Sequence, residues 1–257
     1  MITSASNKNL KLINALNTSG KERKKTGLFV AEGERLIFDA PCDMVESVFV
    51  TEDFCAEHSA ELERFKDVQT VDDRLLKSVS DTKTPQGIIA LVRQPSCEAD
   101  FNDTKADFFM LLEDVQDPGN MGTIMRTAEG AGVGFVLASK GCVDLYNPKT
   151  VRSTMGSIFR VPFKVCDDLC DAVSDLKKTG VSVYAAHLKG VRTCYEPDYT
   201  GPTAFMIGNE GNGLSDRLSE QATELLKIPM NGQLESLNAS VAASVLMYET
   251  LRQRMGR

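Results

Sequence analysis

The chain has 257 residues, of which 42% are hydrophobic and 25% charged, with a formal net charge of −7; this composition excludes a disordered or fibrous chain and fits one large or two smaller globular domains. No apolar run approaches the roughly 18–20 residues needed to span a membrane, and the first residues lack the apolar centre of a secretory signal, so a cytoplasmic protein with no membrane partner is expected. Seven scattered cysteines, none in a Cys-x-x-Cys pair, and only two histidines, His58 and His187, argue against a zinc site or a disulfide framework, and no metal is expected.

Charge is unevenly spread along the chain. Residues 1–35 hold seven basic residues (Lys8, Lys11, Lys21, Arg23, Lys24, Lys25, Arg35) against three acidic ones, a local excess of +4. A solvated surface and RNA contact account for it equally well. Leu10, Ile13 and Leu16 at helical spacing predict a helix from Ser6 to Ser19, ended by Gly20. A basic loop, Lys21–Lys25, follows. Strands are then predicted at Leu28–Ala31, Met44–Val50, Val68–Val71 and Gly87–Val92, alternating with helices at Gly33–Ala40, Asp53–Phe65 and Asp72–Ser80. That alternation implies a small layered α/β domain over residues 1–93. Residues 94–106, with Pro95, Ser96, Asp100, Asn102 and Asp103 and no apolar periodicity, read as a flexible linker to a second domain at 107–257.

The second domain opens with the apolar run Phe108–Leu112, a strand buried on both faces. It leads through a turn-rich loop, Glu113 to Asn120, into a helix from about Met121 to Gly130 with Ile124 and Ala128 inward. Gly134–Ala138 is the next strand. This unit sets Asn120 and Arg126 near a strand's carboxyl end. Arg126, among small and apolar neighbours, needs an anion, either a ligand's or that of Glu113 or Asp114. Lys149 and Arg152 start a further helix and read as solvated or anion-binding. Strands at Phe163–Val165 and Val181–Ala186 flank a helix carrying Leu169, Val173 and Leu176 and ended by Gly180. His187 follows the second of these strands; it could face a site but reads more simply as an ordinary strand-end residue.

Two loops then dominate. Thr203–Gly208 is a short buried strand closed by glycine, and Gly208, Gly211 and Gly213 let backbone approach a ligand. Ser215 is expected to cap a helix with Leu218, Ala222, Leu225 and Leu226 on one face. Leu226–Met230 reads as a strand broken by Pro229. Ser236 or Asn238 then caps the last helix, with Ala239, Ala242 and Ala243 in its first turns and a face of Val245, Leu246, Tyr248 and Leu251 suited to the sheet or another subunit. Helix N-termini converging at strand ends suit a carboxylate or phosphate, and ligands in open α/β sheets bind at the carboxyl ends of the strands. The Gly208–Gly213 loop is not a Rossmann fingerprint, since no third glycine follows at the required spacing, and no Gly-Lys-Ser/Thr of a P-loop occurs.

Three segments carry a resemblance. Asn120-Met121-Gly122-Thr123-Ile124-Met125-Arg126-Thr127-Ala128, then Gly208-Asn209-Glu210-Gly211-Asn212-Gly213-Leu214, then Ile228-Pro229-Met230-Asn231-Gly232 with Ser236-Leu237-Asn238-Ala239-Ser240-Val241-Ala242 resemble, in order, the three motifs of the SpoU (TrmH) family of RNA ribose methyltransferases. Lys24–Gly33 and Pro85–Ala90 are similar to a ribosomal-protein-like substrate-binding domain that precedes the catalytic domain in many members. The resemblance implies S-adenosylmethionine-dependent methyl transfer to a ribose 2′-hydroxyl, with 23S ribosomal RNA and guanosine favoured. A transfer-RNA methyltransferase and a non-catalytic RNA-binding relative are the alternatives.

The resemblance also implies a mostly parallel sheet with helices on both faces, a trefoil knot, which periodicity cannot reveal and which is rare among folds, and a homodimer. Mapped by motif, Arg126, Asn120, Glu210, Asn238 and Ser236 are catalytic or organise the site. Gly208, Ile228 and Leu237, with Met206, Asn209, Gly213 and Met230, hold the cofactor, and Lys24, Lys25, Arg35, Lys149 and Arg152 meet RNA. Arg126 is expected to act as an electrostatic clamp rather than a base, since a guanidinium stays charged. Glu210 is expected to order the loop and Asn120.

Overall fold

A computed structural model describes residues 1–95, 101 and 105–255. The chain forms two compact units, one of Met1–Pro95 with Asp144–Phe159, the other of Ser96–Val143 with Arg160–Arg257. Most of the expected linker, residues 96–100 and 102–104, lies outside the described residues.

The first unit runs through α1 (Lys8–Thr18), α2 (Gly20–Thr26), β1 (Leu28–Glu32), α3 (Glu34–Asp39), β2 (Val45–Val50), α4 (Glu52–Glu57), α5 (Ser59–Leu62), β3 (Val68–Thr70), α6 (Asp73–Val79) and β4 (Ile88–Arg93). Asn7 caps α1 by accepting from the N–H groups of Asn9 and Leu10, and buried Leu10, Ile13 and Leu16 face the sheet. The expected basic loop at Lys21–Lys25 is instead the helix α2. Ser19 caps it through the Glu22 N–H, and Gly27, at φ 67°, closes it in the left-handed conformation that glycine adopts without strain. The helix expected over Asp53–Phe65 is two short helices meeting at His58. The four strands form a sheet in the order β1-β4-β2-β3, antiparallel except for β2–β3.

The second unit starts with β5 (Phe108–Leu112), α7 (Pro118–Ala131) and β6 (Phe135–Ala138). The chain then enters the first unit for α8 (Pro148–Thr154) and a 3₁₀ turn at Ser157–Phe159. It returns as β7 (Phe163–Val165), α9 (Leu169–Lys178), β8 (Ser182–Ala186), β9 (Arg192–Thr193), β10 (Thr203–Ile207), α10 (Asp216–Ser219), β11 (Glu224–Lys227) and α11 (Ala239–Arg254). All seven strands pair in parallel, in the order β7-β6-β5-β10-β8-β11-β9. Being parallel, they present their carboxyl ends along one edge of the sheet.

Alternate residues of the strands serve opposite faces. Phe109, Leu111, Ala204 and Met206 pack with Leu169, Val173 and Leu176 of α9. On the other face Phe108 and Phe205 meet edge to face at 6.2 Å, and Arg254 of α11 lies over the Phe108 ring. The helix expected from Ser215 through Leu226 stops at Ser219. Thr223 is the cause: its N–H donates to the Val183 carbonyl at 2.6 Å and its hydroxyl accepts from the Val183 N–H at 3.1 Å, which draws the following residues into β11.

Candidate active site

The helix α7 opens at the carboxyl end of β5. Asp117 caps it by accepting from the Asn120 N–H at 2.9 Å, and Pro118 stands at its first position, where no amide hydrogen is needed. Asn120 therefore sits in the first turn, buried. Across this helix start lies Glu210 from the loop after β10. Its carboxylate accepts from the N–H groups of Gln116 and Asp117, each at 3.2 Å, and from the side-chain amide of Asn120 at 2.9 Å. The anion at the positive end of α7 is thus the protein's own.

The relay continues into the third motif. Asn120 Oδ1 accepts from Asn238 Nδ2 at 3.0 Å and lies 3.2 Å from the Ser240 hydroxyl. Asn238 Oδ1 caps α11 by accepting from the N–H groups of Ser240 and Val241. Polarity is fixed along the line. An ionised Glu210 only accepts, so Asn120 must turn its NH₂ to it and its oxygen to Asn238, and Asn238 must turn its own oxygen to the helix. Partial burial pushes the Glu210 carboxyl up, but the Asn120 amide and the backbone N–H donors outweigh it and hold the group below its ordinary range. A carboxylate so held orients its neighbours and is a weak proton acceptor.

The loop 208–213 is locked by its own bonds. Asn209 and Gly213 exchange both backbone hydrogen bonds, at 3.0 and 2.9 Å. The Asn209 side chain donates to the Asp114 carbonyl at 2.8 Å and accepts from the N–H groups of Gly211 and Asn212. A Cβ on Gly208 would lie 2.1 Å from the Gly213 carbonyl carbon, and Gly213 itself has φ +70°. Both glycines are required by the loop's fold on itself. Downstream, Ser215 is tied to Glu113, whose carboxylate accepts from its N–H and hydroxyl at 2.7 Å each.

The loop after β11 is the opposite case. Among the described residues, positions 229–237 take part in no backbone–backbone hydrogen bond. Ile228, Met230 and Leu237 are half-buried, as is Gly208 on the neighbouring loop. Apolar side chains beside free backbone N–H and C=O groups are what a purine ring and its polar edge require, so these residues fit an adenosyl cofactor. Met206 does not line that space; it is fully buried in the core against α9. Since β8 lies between β10 and β11, its end at Ala186–His187 stands between the two loops. His187 N–H donates to the Leu226 carbonyl, and its Nδ1 accepts from the Lys189 N–H. The sequence offered His187 both as a residue that could face a site and, more simply, as an ordinary histidine at a strand end.

The converging helix starts are those of α7 and α11, and α10, with four residues, is not one of them. Arg126 is exposed in the middle of α7, and its side chain makes no ion pair or hydrogen bond among the described residues. Neither acid that might have taken it does so, because Glu113 holds Ser215 and Asp114 holds the Ser139 hydroxyl at 2.5 Å. Ser236 is exposed and outside the relay, and Asn238 is the cap. In the first unit Lys24, Lys25 and Arg35 are exposed, Lys25 reaching Glu22 at 3.7 Å. Lys149 is exposed, whereas Arg152 is half-buried and paired with Asp81 at 2.7 Å.

Residues 107–248 match the SpoU rRNA Methylase family, and residues 7–90 match the MRM3-like substrate binding domain. The 23S rRNA (guanosine(2553)-2′-O)-methyltransferase RlmP of Bacillus subtilis (strain 168) is 36% identical over 96% of this chain and 97% of its own. The AdoMet-bound rRNA methyltransferase from Sinorhizobium meliloti superposes with a TM-score of 0.86 at 30% identity, over 98% of this chain and 97% of that one. A TrmH/SpoU tRNA modifying enzyme from A. aeolicus aligns over only 59% of this chain and 77% of its own, with a TM-score of 0.53 at 30% identity. The match spans both halves in order and the three motifs meet in one hydrogen-bonded relay, so the chain belongs to the SpoU rRNA methylase family.

Proposed function

We propose that the protein is an S-adenosylmethionine-dependent methyltransferase that modifies a ribose 2′-hydroxyl of 23S ribosomal RNA, at a guanosine. The observation that carries this reading is the relay Glu210–Asn120–Asn238, which joins the three motif loops, together with Arg126 of the first motif, whose exposed side chain has no ion pair among the described residues and can take an anion. Likeness along both halves to a 23S enzyme supports ribosomal over transfer RNA, since the tRNA-modifying neighbour aligns over little more than half of the chain.

The bound cofactor supplies an electrophilic methyl group on a sulfonium; the rest falls to the chain. Ile228, Met230 and Leu237 give the adenosyl group an apolar wall, while the backbone of 229–237 offers donors and acceptors to its edge. Asn209 and Gly213 hold the adjoining loop. Glu210, ionised and satisfied, keeps Asn120 and Asn238 in one orientation. Arg126 binds a phosphate next to the target ribose, fixes the line of attack and stabilises the developing alkoxide, and an oxygen of that phosphate accepts the hydroxyl proton as the methyl group leaves the sulfonium. Lys24, Lys25 and Arg35 on the first unit contact RNA phosphates, which position the substrate without reading its sequence, with Lys149 in the same role. Arg152, already paired, contributes less.

Two further features belong to this reading. A trefoil knot is supported by the strand order, in which β10 and β11 each enter between strands made earlier. A homodimer is supported by exposed apolar residues on α11, Val241 at 47% and Tyr248 at 53%, with Val245 between them. The test is methyl transfer from labelled S-adenosylmethionine to RNA from a strain lacking the gene, with the product nucleotide mapped. Ribose methylation of 23S RNA by the wild type, lost with Arg126→Ala, is expected. Methylation of tRNA, or cofactor and RNA binding without transfer, overturns it.

A further inference from the structure

Residues 144–159 lie between β6 and β7 of the catalytic sheet in sequence, yet they pack in the first unit. The chain consequently passes between the units three times, after Pro95, Val143 and Phe159. We infer that 144–159 is an intramolecular docking segment: it completes the first unit's core, and it holds that unit to the rest of the chain independently of the linker.

The docking surface is built for this occupant. Phe29 of β1 is fully buried, with its ring centre 5.2 Å from that of Tyr146 and 6.2 Å from that of Phe159. Arg23, the one buried member of the basic run on α2, donates from Nε to Asp144 at 2.7 Å and from its guanidinium to the Leu16 carbonyl. Asp144 in turn accepts from the Tyr146 N–H and so shapes the turn that leads into α8. Thr150, Val151, Thr154 and Ile158 of the segment are buried. At the far end Arg152 pairs with Asp81, whose own N–H is held by buried Glu32 at 3.0 Å. An aromatic centre flanked by two ion pairs, one of them buried, fixes both position and register, because an unpaired buried arginine is strongly disfavoured.

The test uses the full chain with a specific protease site inserted after Pro95. After native cleavage the two fragments should elute together in gel filtration and separate only in denaturant. Asp144→Ala with Arg152→Ala should raise the fraction released on dilution by about tenfold or more, as expected when a buried ion pair is broken. Far-UV circular dichroism of the uncut variants verifies folding; if the double variant is unfolded, Arg152→Ala alone is used, with a release of about threefold, in keeping with its half-exposed pair. Separation of the cut wild-type protein without denaturant overturns the inference. So does retention of the folded variant as firmly as wild type.

Discussion

The loops after β10 and β11 leave the same edge of one parallel sheet and face one site, but their backbones are in contrasting states. The first spends its polar groups on itself, through Asn209, Gly213 and the Glu210 carboxylate over α7. In the second, residues 229–237 have no backbone partner among the described residues. A self-satisfied loop holds catalytic groups in place before anything binds, whereas an unsatisfied one gains its order from what it binds.

The largest expected effect comes from breaking the rigid loop. Gly208→Ala places a Cβ 2.1 Å from the Gly213 carbonyl carbon, and the displacement of Glu210 and Asn209 should lower methyl transfer by roughly 100-fold, measured at saturating cofactor. Glu210→Gln keeps the shape but replaces an acceptor-only group with one that also donates. Asn120 then loses its fixed orientation, and a loss of about tenfold in turnover is expected, with thermal stability falling by about 1 kcal/mol.

Hydrogen exchange separates the two loops directly. Amides at 230–237 should exchange quickly in the free protein and slow by about tenfold or more with S-adenosylhomocysteine, while those at 209–213 change little. Equal protection of both loops in the free protein would remove the contrast. A pH series adds the sign. Because Glu210 titrates below its ordinary range, its contribution is fully present above the unfolded value and is lost as pH falls through the folded one. The Asn120 and Asn238 side-chain NMR signals should therefore hold steady from neutral pH to the ordinary glutamate range and shift only below it; Glu210→Gln should abolish that shift. The smallest effect is Gly232→Ala, where a Cβ meets nothing within 4 Å; activity should stay within about twofold, as for most exposed substitutions.

Much of the catalytic sheet was legible. Phe108–Leu112 and Thr203–Ile207 are short apolar runs bounded by turn residues, and both are buried central strands. The cap Ser215 was read from residue type and position; for the last helix the sequence left Ser236 and Asn238 as alternatives, and the structure has Asn238. The helix over 215–226 was misread because Leu218, Ala222, Leu225 and Leu226 do fall at helical spacing. A long-range bond from Thr223 to β8 decides otherwise, and periodicity does not carry that information. The helix α2 had local signals in Ser19 and Gly27 that its run of charges obscured. Within the site, the motif resemblance pointed to Asn120 and Glu210, but that Glu210 occupies the positive end of α7 depends on a contact across 90 residues of sequence. The docking of 144–159 was illegible for the same reason: Arg23 looks like its lysine neighbours until Asp144 is beside it.

The strand order has a consequence for how the protein is made. Its central strand, β10, is not synthesised until residue 203, by which time β5 and β8 on either side already exist. A nascent chain lacking it has no partner for the inner edges of those two strands, and such edges invite pairing with other chains. Completion of the sheet therefore awaits the last fifth of translation, so a premature stop there yields an aggregation-prone product and not a shortened enzyme.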